Sequence, residues 1–476
     1  MISRRRLRRT AAAALLLPLV IGGGYAVAVE DRAAPIAGSS GIGDPYWPLD
    51  GNGGIDVAAY KIKNRYNLRT YQLRGSTRID LTATVELKRF NLDFLLPVKK
   101  VKVDGVKARF NQRKKHELVV SPVATLAAGS SHTVKVFYAG NPKGKGYAGE
   151  KNWLADRREV VAMNQPHMAP WWFPVNDHPI DKATFDISTT VAKGREVVAN
   201  GKLVSKKRTK RGTTWRWRAD EPMAPYLAFF AAGDFTIKRG TDNGLPWVNA
   251  VSQQLSPGDQ RASMKLLDRT PGVVEALSAD LGDYPFSVTG GLTTGLPVYF
   301  ALENQTRPTY PAVGSRATSL IVHEISHQWF GDDVAVARWR DIWLNEGAAT
   351  FMEWRYAEQH GGQPAAETLR ERYRGLPASD RFWELSIADP GAAHIFDEEI
   401  YVRGGMTMQA LRNRIGDEKF WTLIRTWLDR KSGGNGSSEE FEALAAEISG
   451  QNLTDFFTAW LRTGSKPAET APNGLG

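Results

Sequence analysis

His323-Glu324-Ile325-Ser326-His327 sets two imidazoles four residues apart with a carboxylate beside the first. On a helix running from about Arg316 to Phe330, His323 and His327 project from one face, roughly 6 Å apart along the axis. Two imidazoles so placed can share a zinc ion, and Glu324 can take a proton from a water that the ion activates. A third donor follows in Asp341-Ile342-Trp343-Leu344-Asn345-Glu346-Gly347, where Glu346 is separated from His327 by the eighteen residues 328–345. That gap accommodates a turn and a second helix starting near Trp343, which can return Glu346 to the metal. Two His and one Glu leave the fourth position of one tetrahedral zinc open, the arrangement of a catalytic rather than a structural site. The chain has no cysteine, so no thiolate can close the site. Glu353, two helical turns beyond Glu346 on the same face, is a candidate partner for the second nitrogen of a ligand His; the alternative is a solvent-facing helix carboxylate.

These groups need a scaffold, and 476 residues suffice for about three domains. An apolar content of 42% with 15 Trp excludes wholesale disorder. A mean hydropathy of −0.36 excludes a polytopic membrane protein. The net charge of +11 is partly local, because Arg4, Arg5, Arg6, Arg8 and Arg9 contribute five; without them the balance is 57 − 51 = +6. The remaining excess lies in stretches such as 61–115 and 193–218, where Lys and Arg alternate with Val, Leu and Trp as on solvated strand faces. No nucleic-acid partner and no stable protein partner is expected.

Residues 1–28 read as a cleaved signal peptide: the arginines, the Ala/Leu-rich Ala11 to Ile21, and Ala26-Val27-Ala28 as the cleavage site. An uncleaved membrane anchor is the alternative, since Thr10 to Val29 is uncharged, although Pro18 and Gly22-Gly23-Gly24 weaken it as a spanning helix. Ser3-Arg4-Arg5-Arg6-Leu7 also resembles a twin-arginine signal, which exports folded proteins. The expected location is therefore outside the cytoplasm. Residues 29–44 read as a flexible tether. From 45 to 240 the apolar period is two, as in Ile79 to Leu87, with Asp104-Gly105 and Arg211-Gly212 as turns, which predicts an antiparallel β-rich domain. From about 256 apolar residues recur at three- and four-residue spacing over 316–330, 343–359, 404–415 and 417–430, and Ser437-Ser438 caps a further helix. A mainly helical catalytic domain over 241–464 and a disordered tail over 465–476 complete the expected α+β, multidomain organisation.

The motif extends into Gln328-Trp329-Phe330-Gly331-Asp332 and then Trp343-Leu344-Asn345-Glu346-Gly347. With these, the chain resembles the gluzincin zinc peptidases of the membrane alanyl aminopeptidase (aminopeptidase N) and leukotriene hydrolase family. Asp44 to Pro48, Gly51 to Val57, Phe173-Pro174 with Asp177-His178-Pro179, Lys182 to Phe185, and Tyr226-Leu227 with Gly233-Asp234-Phe235 are similar to family stretches in the family order. The resemblance implies a thermolysin-like catalytic domain and one zinc per chain. It implies peptide substrates with a free amino terminus, in a short member of the secreted bacterial branch. The large carboxy-terminal helical solenoid that roofs the cleft of many members is not expected here.

The resemblance also assigns roles. Phe300-Ala301-Leu302-Glu303-Asn304 stands where the family has a G-x-M-E-N strand, so Glu303, with Asn304, would bind the substrate α-amine. Phe300 and Leu302 depart from that pattern. The structural alternative is that Glu303 merely pairs with Arg307 or another cation. Gln165 stands where a family Gln or Glu also faces the amine, and Tyr401 matches the tyrosine that donates to the oxyanion. Glu324 and Tyr401 are thus the expected catalytic residues of an exported aminopeptidase. An endopeptidase or epoxide hydrolase on the same scaffold, or a non-catalytic zinc-bound peptide-binding module, are the competing readings.

Overall fold

The computed structural model describes residues 36–113, 116–314 and 317–476. The expected signal peptide, 1–28, and the first part of the expected tether lie outside them. Pro35–Gly476 form one compact unit. Its first half is built on a sheet of 11 strands, at whose centre Ile55–Asn67, Gln72–Ala83 and Ser131–Gly140 pair antiparallel. Alternation decides their faces: Tyr60, Ile62 and Tyr66 are buried while Lys61 and Lys63 are exposed. The Asp104-Gly105 hairpin forms between Val98–Val103 and Val106–Arg113, both turn residues having positive φ of 50° and 81°. Gly212 opens its strand opposite Lys202–Thr209, with a φ of 142°.

One pairing within residues 45–240 departs from the antiparallel expectation. Ile55–Asn67 runs parallel to Ala183–Val191, which in turn pairs antiparallel with Gly212–Met223. The long chain segment between the two partners makes a parallel crossover available, and no turn signal in the sequence reports such a contact. Two other expectations are corrected. Residues 36–44 are not a loose tether: Ile36–Ala37 pairs with Leu87 and Arg89, and the buried Asp44 carboxylate accepts from Trp339 N at 3.1 Å and sits 3.1 Å from His178 Nε2. Nor is 465–476 a disordered tail. Lys466 Nζ donates to Tyr373 O at 2.7 Å and Asn473 O accepts from Trp460 Nε1 at 3.1 Å, so polar atoms that suggested solvation are taken up by neighbouring elements.

The second half is helical around a four-stranded sheet that helical periodicity did not announce. Leu245–Ser252 pairs antiparallel with Phe235–Asp242, a strand that runs through the expected 240/241 boundary. On its other side Thr289–Thr293 adds parallel, after the helices Pro257–Leu267 and Thr270–Leu281, and Thr309–Tyr310 adds parallel beyond it. The helices Thr318–Ser326, Trp343–Gln359, Glu398–Ile415 and Asp417–Lys431 follow, and Ser437 makes a capping box with Glu440 ahead of Ser438–Ser449. No described helix is long and apolar enough to cross a membrane, and no helical solenoid follows among the described residues.

Candidate active site

The helix Thr318–Ser326 is buried on its last turns, with His323 and Glu324 among its buried residues and His327 at its C-cap. Beyond it the chain closes a wide turn: Asp332 N donates to His327 O at 3.0 Å, Asp333 N to Gln328 O at 3.1 Å and Val334 N to Trp329 O at 3.1 Å. Lys182, from the β-rich half, is the brace of that turn. Its Nζ donates to Asp332 O at 2.9 Å and Asp333 O at 2.7 Å. The helix Trp343–Gln359 then carries Glu346 and Glu353 back. It crosses Glu398–Ile415 so closely that a Cβ at Gly347 would lie 2.7 Å from Gly404 Cα.

Glu346 Oε2 lies 3.3 Å from His323 Nε2 and 3.2 Å from His327 Nε2, with all three residues buried. The other ring nitrogens are occupied: His323 Nδ1 meets Glu353 Oε1 at 2.8 Å, and His327 Nδ1 meets Phe330 O at 3.0 Å. Those acceptors hold the proton on Nδ1 and leave each Nε2 a lone pair aimed at the shared point. A tetrahedral ion with bonds of about 2.0–2.1 Å separates its donors by about 3.3 Å, so the donor set fits zinc in both chemistry and spacing. Burial alone would raise the Glu346 carboxyl, but His327 and His323 outweigh it and hold it below the usual carboxylate range. Burial pushes Glu324 up to about 8, against the pull of both His; a divalent cation among the three donors draws it back toward the carboxylate.

The Tyr401 ring stacks on His323, centroids 5.9 Å apart. Burial and then the carboxylates of Glu346, Glu303 and Glu324 hold its hydroxyl well above the usual phenol range, so it stays an O–H donor. Glu303 is buried, and its Oε1 accepts from Gln165 Nε2 at 3.0 Å and Tyr226 OH at 3.1 Å. Its backbone is fastened to the zinc helix, Gln328 Nε2 donating to Glu303 O at 3.0 Å. The pairing with Arg307 does not occur. That guanidinium donates instead to Ala199 O, Gly201 O and Val248 O. Asn304 is a correction: its amide donates to Leu227 O at 3.1 Å and accepts from Thr309 Oγ1 at 3.0 Å, which makes it a buried brace of the loop rather than a group offered to substrate. Phe300 is 41% exposed and Leu302 is buried.

Tyr226 and Gln328 escaped the sequence reading as site residues. Both lay inside quoted motifs, but nothing in the spacing shows that they converge on Glu303. The buried Asp332 carboxyl, which burial and then the neighbouring Glu303 hold well above the usual carboxylate range, was missed for the same reason.

Residues 57–227 match the peptidase M1 N-terminal domain, and residues 290–460 match the peptidase family M1 domain, together more than two thirds of the chain. The chain belongs to peptidase family M1. Among family members, it is 22% identical over 435 residues to the leucyl aminopeptidase of Saccharolobus solfataricus, covering 86% of this chain and 53% of that one. It is 25% identical to the aminopeptidase N of Lactococcus lactis subsp. lactis, covering 68% of this chain and 40% of the relative. The M1 chain thus spans about half or less of the length of the curated relatives it matches. The M1 zinc metallopeptidase of Deinococcus radiodurans superposes with a TM-score of 0.81 at 25% identity, covering 92% of this chain and 99% of that one. A variant of that protein has been solved with a Tyr-Ser-Ala substrate. Zinc is the metal of this peptidase family, and His323, His327 and Glu346 form the group that could hold it.

Proposed function

We propose that the chain is an exported zinc aminopeptidase that removes amino-terminal residues from peptides. The observation that carries the reading is Glu303: a buried carboxylate beside the zinc ligands, held by Gln165 and Tyr226, and paired with no Lys or Arg among the described residues. A carboxylate so held is completed by an ammonium from outside, through a charge-assisted hydrogen bond. When bound, zinc polarises the scissile carbonyl and lowers the pKa of a water molecule. Glu324 takes the proton of that water and returns it to the leaving amine. Tyr401 donates its O–H to the oxygen that gains charge in the tetrahedral intermediate.

Amino-acid arylamides test this, assayed beside their N-acetylated counterparts and with or without chelator. Free amines are expected to be cleaved, acetylated ones left nearly intact, and Glu303→Ala to lose the discrimination. If wild type and Glu303→Ala cleave both peptide series alike, the amine anchor is absent and the enzyme is an endopeptidase. If neither series is cleaved although zinc is bound, the site is a peptide-binding module. Export rests on the arginines, the apolar stretch and Ala26-Val27-Ala28, which precede the described residues. Mass spectrometry of the protein recovered outside the cell is expected to show a chain starting at Val29. Retention of the intact amino terminus in the membrane fraction would make the segment an anchor instead.

A further inference from the structure

The 11-stranded sheet gathers cations that lie scattered in the sequence. A groove of about 480 Å³ is lined by Lys61, Lys63, Arg65, Arg74, Lys207 and Arg216 together with Ser, Thr and Asn side chains, and by no carboxylate. Arg65 also lines an adjoining groove of about 440 Å³, with Arg69, Arg157, Lys193, Arg195 and Arg211 and again no carboxylate. Cross-strand register explains the concentration. Arg74 faces Arg65, Arg65 faces Thr190, Thr190 faces Thr214 and Thr214 faces Lys207. One row over, Lys63 faces Ser188, Ser188 faces Arg216 and Arg216 faces Ser205.

Little of this charge is neutralised within the chain. Asp186 takes Arg216 through two hydrogen bonds of 2.8 and 2.6 Å and lies 3.6 Å from Lys61. Asp234 takes Arg195. Among the described residues the other eight cations of the two grooves have no carboxylate within ion-pair distance. Like charges directly opposite each other on neighbouring strands destabilise a sheet, and Arg65 opposite Arg74 is such a pair. None of these residues belongs to the zinc site.

We propose that this double groove docks a linear polyol-phosphate polymer, a phosphodiester chain without bases and with one negative charge per repeat. Lys61, Lys63 and Arg65 alternate along one strand, with cations about 6.7 Å apart; Arg74 adds a cation on one neighbouring strand, about 4.8 Å away, and Arg216 and Lys207 lie two and three strands away on the other side. The ammonium, guanidinium and hydroxyl groups of the lining all present donors, and Arg binds phosphate bidentately. Single-stranded nucleic acid would want exposed aromatics on which to stack bases, and the single aromatic of the two linings, Tyr66, is buried. A bilayer would want a projecting apolar surface rather than a concave polar one.

The test is direct binding of a poly(glycerol phosphate) chain to the whole protein, followed by fluorescence anisotropy, with single-stranded DNA, polyglutamate and phosphatidylglycerol vesicles as competitors. Four phosphate contacts imply an affinity that falls about 50-fold between about 50 and 200 mM salt. Lys63→Glu/Arg65→Glu/Arg74→Glu is expected to weaken binding at least tenfold (about 1.4 kcal/mol). The same charge change on exposed helix positions, Arg261→Glu/Lys265→Glu/Arg370→Glu, is expected to leave it within about twofold. The neutralising set Lys63→Gln/Arg74→Gln/Lys207→Gln, gentler on the fold, is expected to lie between. Arylamide hydrolysis by every variant is expected to match wild type, so loss of docking and loss of catalysis are read separately. Equal weakening by the groove and helix sets, no binding at about 50 mM salt, or tighter binding of DNA, polyglutamate or vesicles than of poly(glycerol phosphate) would overturn the proposal.

Discussion

In the proposed mechanism a carboxylate, a phenol and three metal donors divide the chemistry, and the carboxylate and the phenol can each be removed with a nearly isosteric change. Glu324→Gln keeps the shape of the side chain and removes its capacity to hold a proton. It is expected to retain zinc while kcat falls by a factor on the order of 10²–10⁴. Elemental analysis beside steady-state kinetics checks this, and a variant within a few-fold of wild type would move the base elsewhere. Tyr401→Phe is expected to lower kcat by roughly 10²–10³ with KM little changed, because the hydroxyl is needed mainly once negative charge has developed on the oxygen. A raised KM with kcat intact would make Tyr401 a binding residue. Glu324, His323 and His327 were legible at this scale because their mutual placement is a property of one helix. Asn304 was misread because a motif does not reveal that Leu227 O and Thr309 already occupy the amide.

At the scale of elements, two contacts hold the site. Gly347 lies against Gly404 where Trp343–Gln359 crosses Glu398–Ile415, the contact that sets Tyr401 beside the zinc ligands. A methyl group there meets backbone at 2.7–2.8 Å, which nothing nearby can relieve by rotating a side chain. Gly347→Ala is therefore expected to lower both Tm and kcat, with calorimetry and kinetics on the same preparation as the check; an unchanged Tm would show that the helices part freely. Lys182 acts on the other side of the site. Its bonds to Asp332 O and Asp333 O hold the turn that contains Phe330 O, the acceptor for His327 Nδ1. Lys182→Met is expected to weaken zinc about tenfold in chelator competition, the low end of what a partner behind a metal ligand contributes, with Lys182→Arg partly restoring it. Loss of Tm with unchanged zinc affinity would confine Lys182 to packing.

For the molecule as a whole, a buried His167 ties the segment around Asp50 to the hairpin at Tyr147 and Glu150. It bonds Asp50 and lies 3.2 Å from Glu150 Oε2, and Trp47 packs edge-on against it with centroids 5.1 Å apart. Burial alone would lower its pKa, but the two carboxylates outweigh burial and carry it up to about 10. Its folded pKa lies above its unfolded one, so the stability it supplies is complete below about pH 6.5 and is lost as the pH rises through about 10. Relative to wild type, His167→Gln is expected to show its largest Tm deficit near about pH 6 and a deficit that shrinks toward about pH 10. A deficit independent of pH would mean that His167 contributes packing alone.

Periodicity and short-range spacing were enough to read the β-rich half, the helices of the second half, the hairpin at Asp104-Gly105 and the donors His323, His327 and Glu346. Each but Glu346 depends on geometry that a helix, strand or turn imposes over a few residues; Glu346 rests on the return of a second helix. The tertiary structure decided the rest: the parallel pairing of Ile55–Asn67 with Ala183–Val191, the packing of residues 36–44 and 465–476, and the absence of Arg307 from Glu303. It also gathered the basic strand faces, which read as scattered solvated positions, into one carboxylate-free groove. Such outcomes depend on which apolar faces bury against each other and which buried polar atoms must find partners across a hundred residues or more. Local sequence does not carry that information.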